Sequence, residues 1–475
     1  MLDKRQFYIN GAWVNPAEPN DFEVINPSNE EPFAVISLGG RQDTDAAVAA
    51  ANAAFPAWAA TSREERLELL EKLLAAYKAR AEEMAQAMSQ EMGAPIDWAR
   101  SAQVGAGSWH LQGFVDALRD FTFEYRFATD EHHILEPIGV AGLITPWNWP
   151  MNQVTLKVGA AVAAGCTMVL KPSEIAPLSS MLFAEMMDEA GFPAGVFNLV
   201  NGDGPGVGTQ LSTHPGIAMI SFTGSTRAGI QISRAAAPTM KRVACELGGK
   251  GANIIFEDAP EKAVKIGAMK VFNNSGQSCN APTRMLVHRS RYDAAVEQAA
   301  SQAEATAVGP ASAEGRHIGP VVSEAQFGKI QDLIQKGIDE GARLVAGGPG
   351  RPKGLNRGYF VRPTVFADVR NDMTIAQTEI FGPVLSIIPF DSEEEAIAIA
   401  NDTEYGLTNY VQTADAERAK RMARRLKSGM VEMNYKSFAQ GSPFGGVKMS
   451  GLAREGGRFG IEEYLILKAV SGWEK

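Results

Sequence analysis

Cysteine is scarce in this sequence of 475 residues: there are three, at positions 166, 245 and 279. Three thiols cannot build a disulfide framework for a chain of this length, and none sits in a Cys-x-x-Cys or histidine-rich spacing. A disulfide-stapled scaffold and a structural metal site are therefore excluded, and a reducing compartment, the cytoplasm, is expected. A basic excess is missing as well. With 45 lysines and arginines against 55 acidic residues the formal net charge is −10, which argues against nucleic acid or an anionic membrane as partner. Long apolar runs are lacking too. The uncharged stretch between Lys157 and Lys171 is 13 residues, short of the ~20 a membrane-spanning helix needs, and the opening Met-Leu-Asp-Lys-Arg has no apolar segment behind its charges, so no secretory signal is expected.

What is present describes a globular chain. The hydrophobic fraction is 45% and the charged fraction 21%, and the length suits about two to four domains. The Asn10-Gly11 pair between short apolar runs predicts an opening hairpin. From Thr44 to Arg119 alanine-rich text with Leu67, Leu70, Leu74 and Tyr77 at helical spacing predicts helices. From Pro137 onward, β-branched runs alternate with helix-length segments. Strands are expected at Val140–Thr145, Met168–Leu170, Val196–Leu199, Met219–Phe222 and Arg242–Glu246, and in a second series at Asn253–Phe256, Arg284–His288, Val361–Val365, Val384–Phe390 and Met430–Asn434. Two α/β units in tandem, each with a parallel sheet, follow from that pattern. Asp120–Glu136 and Ile461–Val470 alternate aromatic, charged and apolar residues as exposed strands do, and such edges call for a partner.

Several short segments carry residues suited to chemistry, each with an ordinary alternative. Cys279 lies in Asn274-Ser275-Gly276-Gln277-Ser278-Cys279-Asn280, a polar, glycine-bearing loop in which a thiol can ionise more readily than in a core; an incidental buried cysteine is the alternative. Glu246 ends a strand beside Gly248 and Gly249, at the edge where α/β sheets collect functional groups, or simply pairs with Lys250. Phe222-Thr223-Gly224-Ser225-Thr226 offers a helix start to a phosphate, or is an ordinary N-cap. Lys171-Pro172-Ser173-Glu174 could hold ribose hydroxyls, or be a surface turn. Pro146-Trp147-Asn148-Trp149-Pro150 fixes an amide that could face an oxyanion, or two core indoles in a turn. The Gly-x-Gly-x-x-Gly dinucleotide fingerprint is absent.

Together with Glu379-Ile380-Phe381-Gly382-Pro383 and Pro443-Phe444-Gly445-Gly446, these segments stand in the order that resembles the aldehyde dehydrogenase superfamily, from the first hairpin nearly to the C-terminus. The resemblance implies an α/β fold of two tandem open domains with a small β oligomerisation arm. On it, residues 1–119 and 138–247 form a Rossmann-like NAD-binding domain, 248–450 the catalytic domain, and 120–137 with 460–475 the oligomerisation strands of a homotetramer or homodimer. Cys279 is then the nucleophile, Glu246 the general base and Asn148 an oxyanion donor, with Lys157 and Glu455 near a proton path. Cofactor contacts fall on Trp147, Lys171, Ser173, Glu174, Gly204, Gly224, Ser225, Leu247, Glu379 and Phe381. The aldehyde pocket falls on Trp149, Asn152, Gln153 and Leu156, which have the i, i+3, i+4, i+7 spacing of one helix face, and on Asn273, Ser278, Asn280, Phe438 and Phe444. No metal is implied.

The chemistry accounts for the residue types. Thiolate addition to an aldehyde gives a thiohemiacetal whose hydride can pass to a nicotinamide, leaving a thioester that base-activated water cleaves to a carboxylic acid. Glu174 at the ribose would repel a 2′-phosphate, which favours NAD, while Lys171 leaves NADP open. The amides of the pocket suit a short polar or aromatic aldehyde or a semialdehyde better than a long aliphatic one, since an unpaired buried polar group costs about 1–3 kcal/mol. Transfer of the acyl group to coenzyme A, and a catalytically silent structural protein on the same fold, are the alternatives.

Overall fold

The computed structural model describes residues 1–473, and its two largest sheets hold seven strands each. In the first sheet the strands lie side by side as Arg242–Glu246, Met219–Thr223, Val140–Ile144, Thr167–Lys171 and Phe197–Leu199, all parallel. The antiparallel hairpin Phe7–Ile9 and Ala12–Val14 closes one edge. Asn10 and Gly11 both adopt positive φ, 52° and 77°, as a tight hairpin turn requires. Every residue of Val140–Ile144, Thr167–Lys171 and Met219–Thr223 is buried. These strands are covered on both faces, so they read as continuous apolar runs rather than as alternation. One face packs on Arg63–Ala79, Ala81–Met92, Val104–Arg119, Pro150–Ala164 and Leu178–Glu189, the other on Arg41–Ala59 and Thr226–Ala236.

The order of these strands positions everything that follows. The chain runs outward from Val140–Ile144 in one direction, then returns to build Met219–Thr223 on its other side. A crevice opens where the winding reverses, at the carboxyl ends of those two neighbours. Pro146–Pro150 leaves one of them and Gly224-Ser225 the other.

The second sheet runs Arg343–Ala346, Thr364–Ala367, Val384–Phe390, Arg284–His288, Ala252–Ile255, Thr408–Gln412 and Met430–Met433, parallel except for the first pair. Two of these strands escape the sequence pattern. Thr408–Gln412 reads Thr-Asn-Tyr-Val-Gln, too polar to register as a buried run, and Arg343–Ala346 is an edge strand exposed at its start. The strand expected at Val361–Val365 begins instead at Thr364, directly after Pro363, which has no N–H to give the ladder.

A third sheet, Glu124–Ala128, Glu131–Pro137 and Leu465–Ser471, is antiparallel and largely exposed. The C-terminal arm starts later than the sequence pattern suggests, because Gly457–Glu463 is a helix and the strand follows it; residues 474 and 475 of that expected arm lie outside the described residues. Arg242 fastens the arm's root. Its Nη1 donates to the carbonyls of Glu463 at 2.6 Å and Leu465 at 2.8 Å, from the first residue of the strand that ends in Glu246. A small sheet of Leu2–Asp3, Glu31–Ser37 and Asp21–Asn26, which no sequence pattern announces, completes the fold. Among the described residues no helix is long and apolar enough to cross a membrane.

Candidate functional site

The crevice at the reversal point contains a cavity of about 230 Å³. Its walls gather Trp147, Asn148 and Gln153 from one side, Gly224, Ser225 and Leu247 from another, and Cys279, Glu379 and Phe381 from the second sheet's loops. Five segments far apart in sequence thus meet in one place. Helix Glu324–Asp339 adds Gln326 and Lys329, which no motif announces.

The loop that carries Cys279 is built from unusual backbone. After helix Ala263–Phe272, residues Asn274, Ser275 and Gly276 all take positive φ. A Cβ on Gly276 would lie 2.0 Å from the Gly382 carbonyl, so only glycine lets the two loops touch. Asn148 locks the turn from the other side. Its Nδ2 donates to the Gln277 carbonyl at 3.0 Å, while its own carbonyl accepts from Gln103 Nε2 and Asn274 Nδ2. The amide is 4% exposed, so it is held beside the nucleophile candidate with little freedom. Cys279 itself departs from the sequence expectation of an easily ionised thiol. Burial pushes its pKa up, and Glu379 and Glu246 push it further. The polar side chains of the loop are engaged elsewhere, Ser275 with the Gly319 carbonyl, Gln277 with the Val322 N–H and Ser278 with Trp149, and the charges that face the sulfur are negative.

Glu246 ends its strand with a side chain 2% exposed. Neither carboxylate oxygen has a hydrogen-bond partner, and neither does Lys250 Nζ, so the simple ion pair between them does not form. Burial raises the Glu246 pKa well above the usual range, the neighbouring Glu455 raises it again, and Lys157 and Arg454 oppose the shift. Behind it lies a closed pair: Lys157 Nζ reaches Glu455 Oε1 at 2.5 Å and Ser221 Oγ at 3.1 Å. A Cβ on Gly445 would come within 2.6 Å of Glu246 Oε1, so the glycine-rich late segment leaves the room this carboxylate needs.

On the other wall, Glu379 Oε1 accepts from the Gly249 N–H at 2.8 Å, and a Cβ on Gly248 would meet Glu379 Oε2 at 2.3 Å. Phe381 is held at φ 61°, a strained position for a side chain of its size. Gln326 Nε2 secures it by donating to the Phe381 carbonyl at 2.8 Å, and the ring stands edge-on to Trp147 at 5.4 Å. Ser225 caps helix Thr226–Ala236 by accepting from the Ala228 N–H at 3.3 Å. That helix start faces the cavity with its remaining first-turn donors. Lys171, Ser173, Glu174 and Gly204 lie outside the cavity walls, at the carboxyl ends of the next strands along. Lys171 Nζ donates to the carbonyls of Pro172 at 2.7 Å and Gly202, with Glu174 Oε2 at 3.4 Å.

The residues expected around the aldehyde are divided rather than gathered. Gln153 faces the cavity with Cys279. Trp149 stands just ahead of helix Pro150–Ala164 and donates its indole N–H to Ser278 Oγ at 2.8 Å. Asn152 turns to His110, with Oδ1 2.6 Å from Nε2. Burial lowers the His110 pKa to about 4, so the neutral ring donates its Nε2–H there. Leu156 is 2% exposed and borders a separate small cleft with Glu455 and Tyr464, so the expected single face does not hold. Asn273 opens on a second cavity of about 550 Å³, walled also by Trp98 and Met269. Trp98 packs edge-on to Trp149 at 6.2 Å, which sets that cavity against the other side of the Cys279 loop. The Asn280 carbonyl accepts from Tyr410, Phe438 is 41% exposed, and Phe444 bridges to Glu455 through its backbone. Among the described residues no cluster of metal-ligating side chains occurs.

Comparison with known proteins identifies the family and the fold. A profile described as "Aldehyde dehydrogenase family" matches residues 13–470. A Pseudomonas protein named 3-succinoylsemialdehyde-pyridine dehydrogenase is 52% identical over the whole of both chains. Among solved structures, an aldehyde dehydrogenase from Bartonella henselae is 59% identical with a TM-score of 0.99, covering all of both chains. Another from Pseudomonas syringae, crystallised with NAD+ and octanal, is 49% identical with a TM-score of 0.98, over 99% of this chain and 97% of that one. The chain belongs to the aldehyde dehydrogenase family.

Proposed function

We propose that this protein oxidises an aldehyde to its carboxylic acid with NAD, through a thioester on Cys279. The observation that carries the reading is the shared cavity in which the Cys279 thiol and the fixed Asn148 amide meet, with an unpartnered Glu246 carboxylate near enough to raise the thiol's pKa. As the sulfur bonds to the carbonyl carbon, the carbonyl oxygen gains charge, and an Asn148 N–H beside it lowers that barrier by an amount typical of one oxyanion donor, about 3–4 kcal/mol. The resting thiol is protonated, so a base must take its proton. Glu246, its own pKa raised, is matched to that task and to activating water against the thioester. Lys157 and Glu455 stand behind it to pass protons onward.

The residues present fit NAD. Thr223 Oγ1 is buried at the cavity without a partner, the capped helix start at Ser225 presents free N–H groups to a pyrophosphate, and Glu379 lies over glycines that let a ribose approach. Lys171, Ser173, Glu174 and Gly204 would hold the adenosine side, with Trp147, Leu247, Glu379 and Phe381 around the nicotinamide ribose. When bound, the nicotinamide accepts the hydride released as the thioester forms. Lys171 is already engaged by two carbonyls and Glu174, which leaves no free cation there for a 2′-phosphate and supports NAD over NADP. The Pseudomonas syringae relative was crystallised with NAD+.

For the substrate, the cavity beyond Trp149 and Asn273 would receive the part of the aldehyde distal to the carbonyl. Its Trp98 and Met269 suit a ring, in keeping with a relative named for a pyridine-bearing semialdehyde. An aryl aldehyde or semialdehyde is the reading we favour. The exposed arm, with Phe127 64% and Leu467 57% accessible, supports assembly into a homodimer or homotetramer, and the three free thiols support a cytoplasmic setting. The test follows NADH formation from benzaldehyde, succinic semialdehyde and octanal with wild type and Cys279→Ala. Turnover abolished in the variant is expected; equal turnover would refute the thioester route.

A further inference from the structure

Helix Leu178–Glu189 begins without a cap of its own. Pro177 occupies the N-cap position, and it has no side chain able to accept from the free N–H groups of the first turn. The acceptor comes from a different helix. Glu91, near the end of Ala81–Met92, is 0% exposed and turns its carboxylate onto this start. Oε2 accepts from the Leu178 N–H at 2.6 Å, and Oε1 accepts from the Ser179 N–H at 3.2 Å and from the Ser179 hydroxyl. A carboxylate at a helix N-terminus is favoured by the helix dipole, yet one buried this completely is costly unless those donors hold it.

The position of that cap gives it a consequence. Helix Leu178–Glu189 follows directly on the loop Pro172–Pro177, and the loop has two anchors. Lys171 fixes one end through the carbonyls of Pro172 and Gly202, and Glu91 fixes the other through Leu178 and Ser179. Between the anchors lie Ser173 and Glu174. We propose that Glu91 is a positioning residue for coenzyme binding, which sets the place of the adenosine-ribose loop by capping the helix that follows it.

This rests on the assignment of Lys171–Glu174 to the adenosine side of NAD. Glu91 touches neither cavity, so its loss should act on affinity and not on the chemical step. The probe is ADP-ribose, which lacks the nicotinamide ring, titrated calorimetrically into the purified full-length protein. Glu91→Ala should weaken its binding at least tenfold and raise KM for NAD to match, with kcat at saturating NAD and KM for the aldehyde within twofold of wild type. Ser179→Ala, which removes only the hydroxyl donor, should fall between, and Glu91→Gln serves should the alanine variant fail to fold. Folded variants with a lowered melting temperature but unchanged ADP-ribose binding would mean a purely structural cap and overturn the proposal, as would a loss of kcat equal to the loss of affinity. Failure of ADP-ribose to bind the wild-type protein would instead remove the coenzyme assignment beneath it.

Discussion

Two lysines, Lys157 and Lys250, are both fully buried, and they are treated in opposite ways. Lys157 has a carboxylate at 2.5 Å and a hydroxyl at 3.1 Å. Lys250, 1% exposed, has no partner for its Nζ. Burial, with Arg284 and Lys329 as further repulsion, lowers its pKa to about 7. The difference separates two uses of an amine in a core. One amine is paired with a carboxylate that shares its burial; the other is unpaired and approaches a neutral group.

Lys157→Met should break the comparison most severely. It strands Glu455, and removing one member of a buried pair costs about 3–5 kcal/mol; a fall in the denaturant midpoint measures it, and a fall under ~1 kcal/mol would mean the pair is not closed in solution. Glu246→Gln comes next, acting on rate and not on the fold. Since Glu246 is proposed both to take the thiol proton and to activate water, the steady rate should drop by about 10²-fold or more and the burst of NADH in rapid mixing should slow with it. A burst that survives at the wild-type rate would confine Glu246 to hydrolysis of the thioester. Asn148→Ala should lower kcat by about 10²–10³-fold through the missing oxyanion donor, and it should also loosen the Gln277 turn, visible as faster alkylation of Cys279.

Lys250→Met gives the smallest effect and the sharpest one. The folded pKa is depressed, so between about pH 7 and the ordinary lysine range the unfolded chain holds a proton that the folded chain does not. Stability contributed by this group therefore rises with pH across that window. The methionine variant lacks the penalty, so its advantage over wild type should be largest near pH 7 and shrink toward pH 10, as urea melts at the two values would show. A pH-independent difference would mean Lys250 is paired after all.

Much of the site is legible in the amino-acid sequence, because close backbone contacts dictate residue types. Gly276 must be glycine to touch Gly382, and Gly248 to admit Glu379, so these positions carry a pattern wherever they occur. Strand ends are legible for the same reason that the sheets are: apolar runs stop where functional loops begin. Isolated side chains are not. Gln326 and Lys329 enter from a helix with no special composition, and His110 looks like any polar residue of its helix until Asn152 is placed against it. The helix face expected from Trp149 to Leu156 fails because spacing reports which residues share a side. It does not report that Glu455 and Tyr464 lie on that side at one end. The polar loop suggests an acidic thiol, but the sign of nearby charge depends on Glu379 and Glu246, brought in from elsewhere in the fold.

The clasp of Arg242 on the carbonyls of Glu463 and Leu465 has a further consequence. One five-residue strand carries the anchor of the exposed arm at its first residue and the carboxylate proposed as the base at its last. A rod of that length spans only about 13–17 Å, with no hinge between its ends. On the proposed assembly, a partner gripped by the arm would pull on the same rigid bar that carries Glu246, and turnover should fall as dilution breaks that assembly.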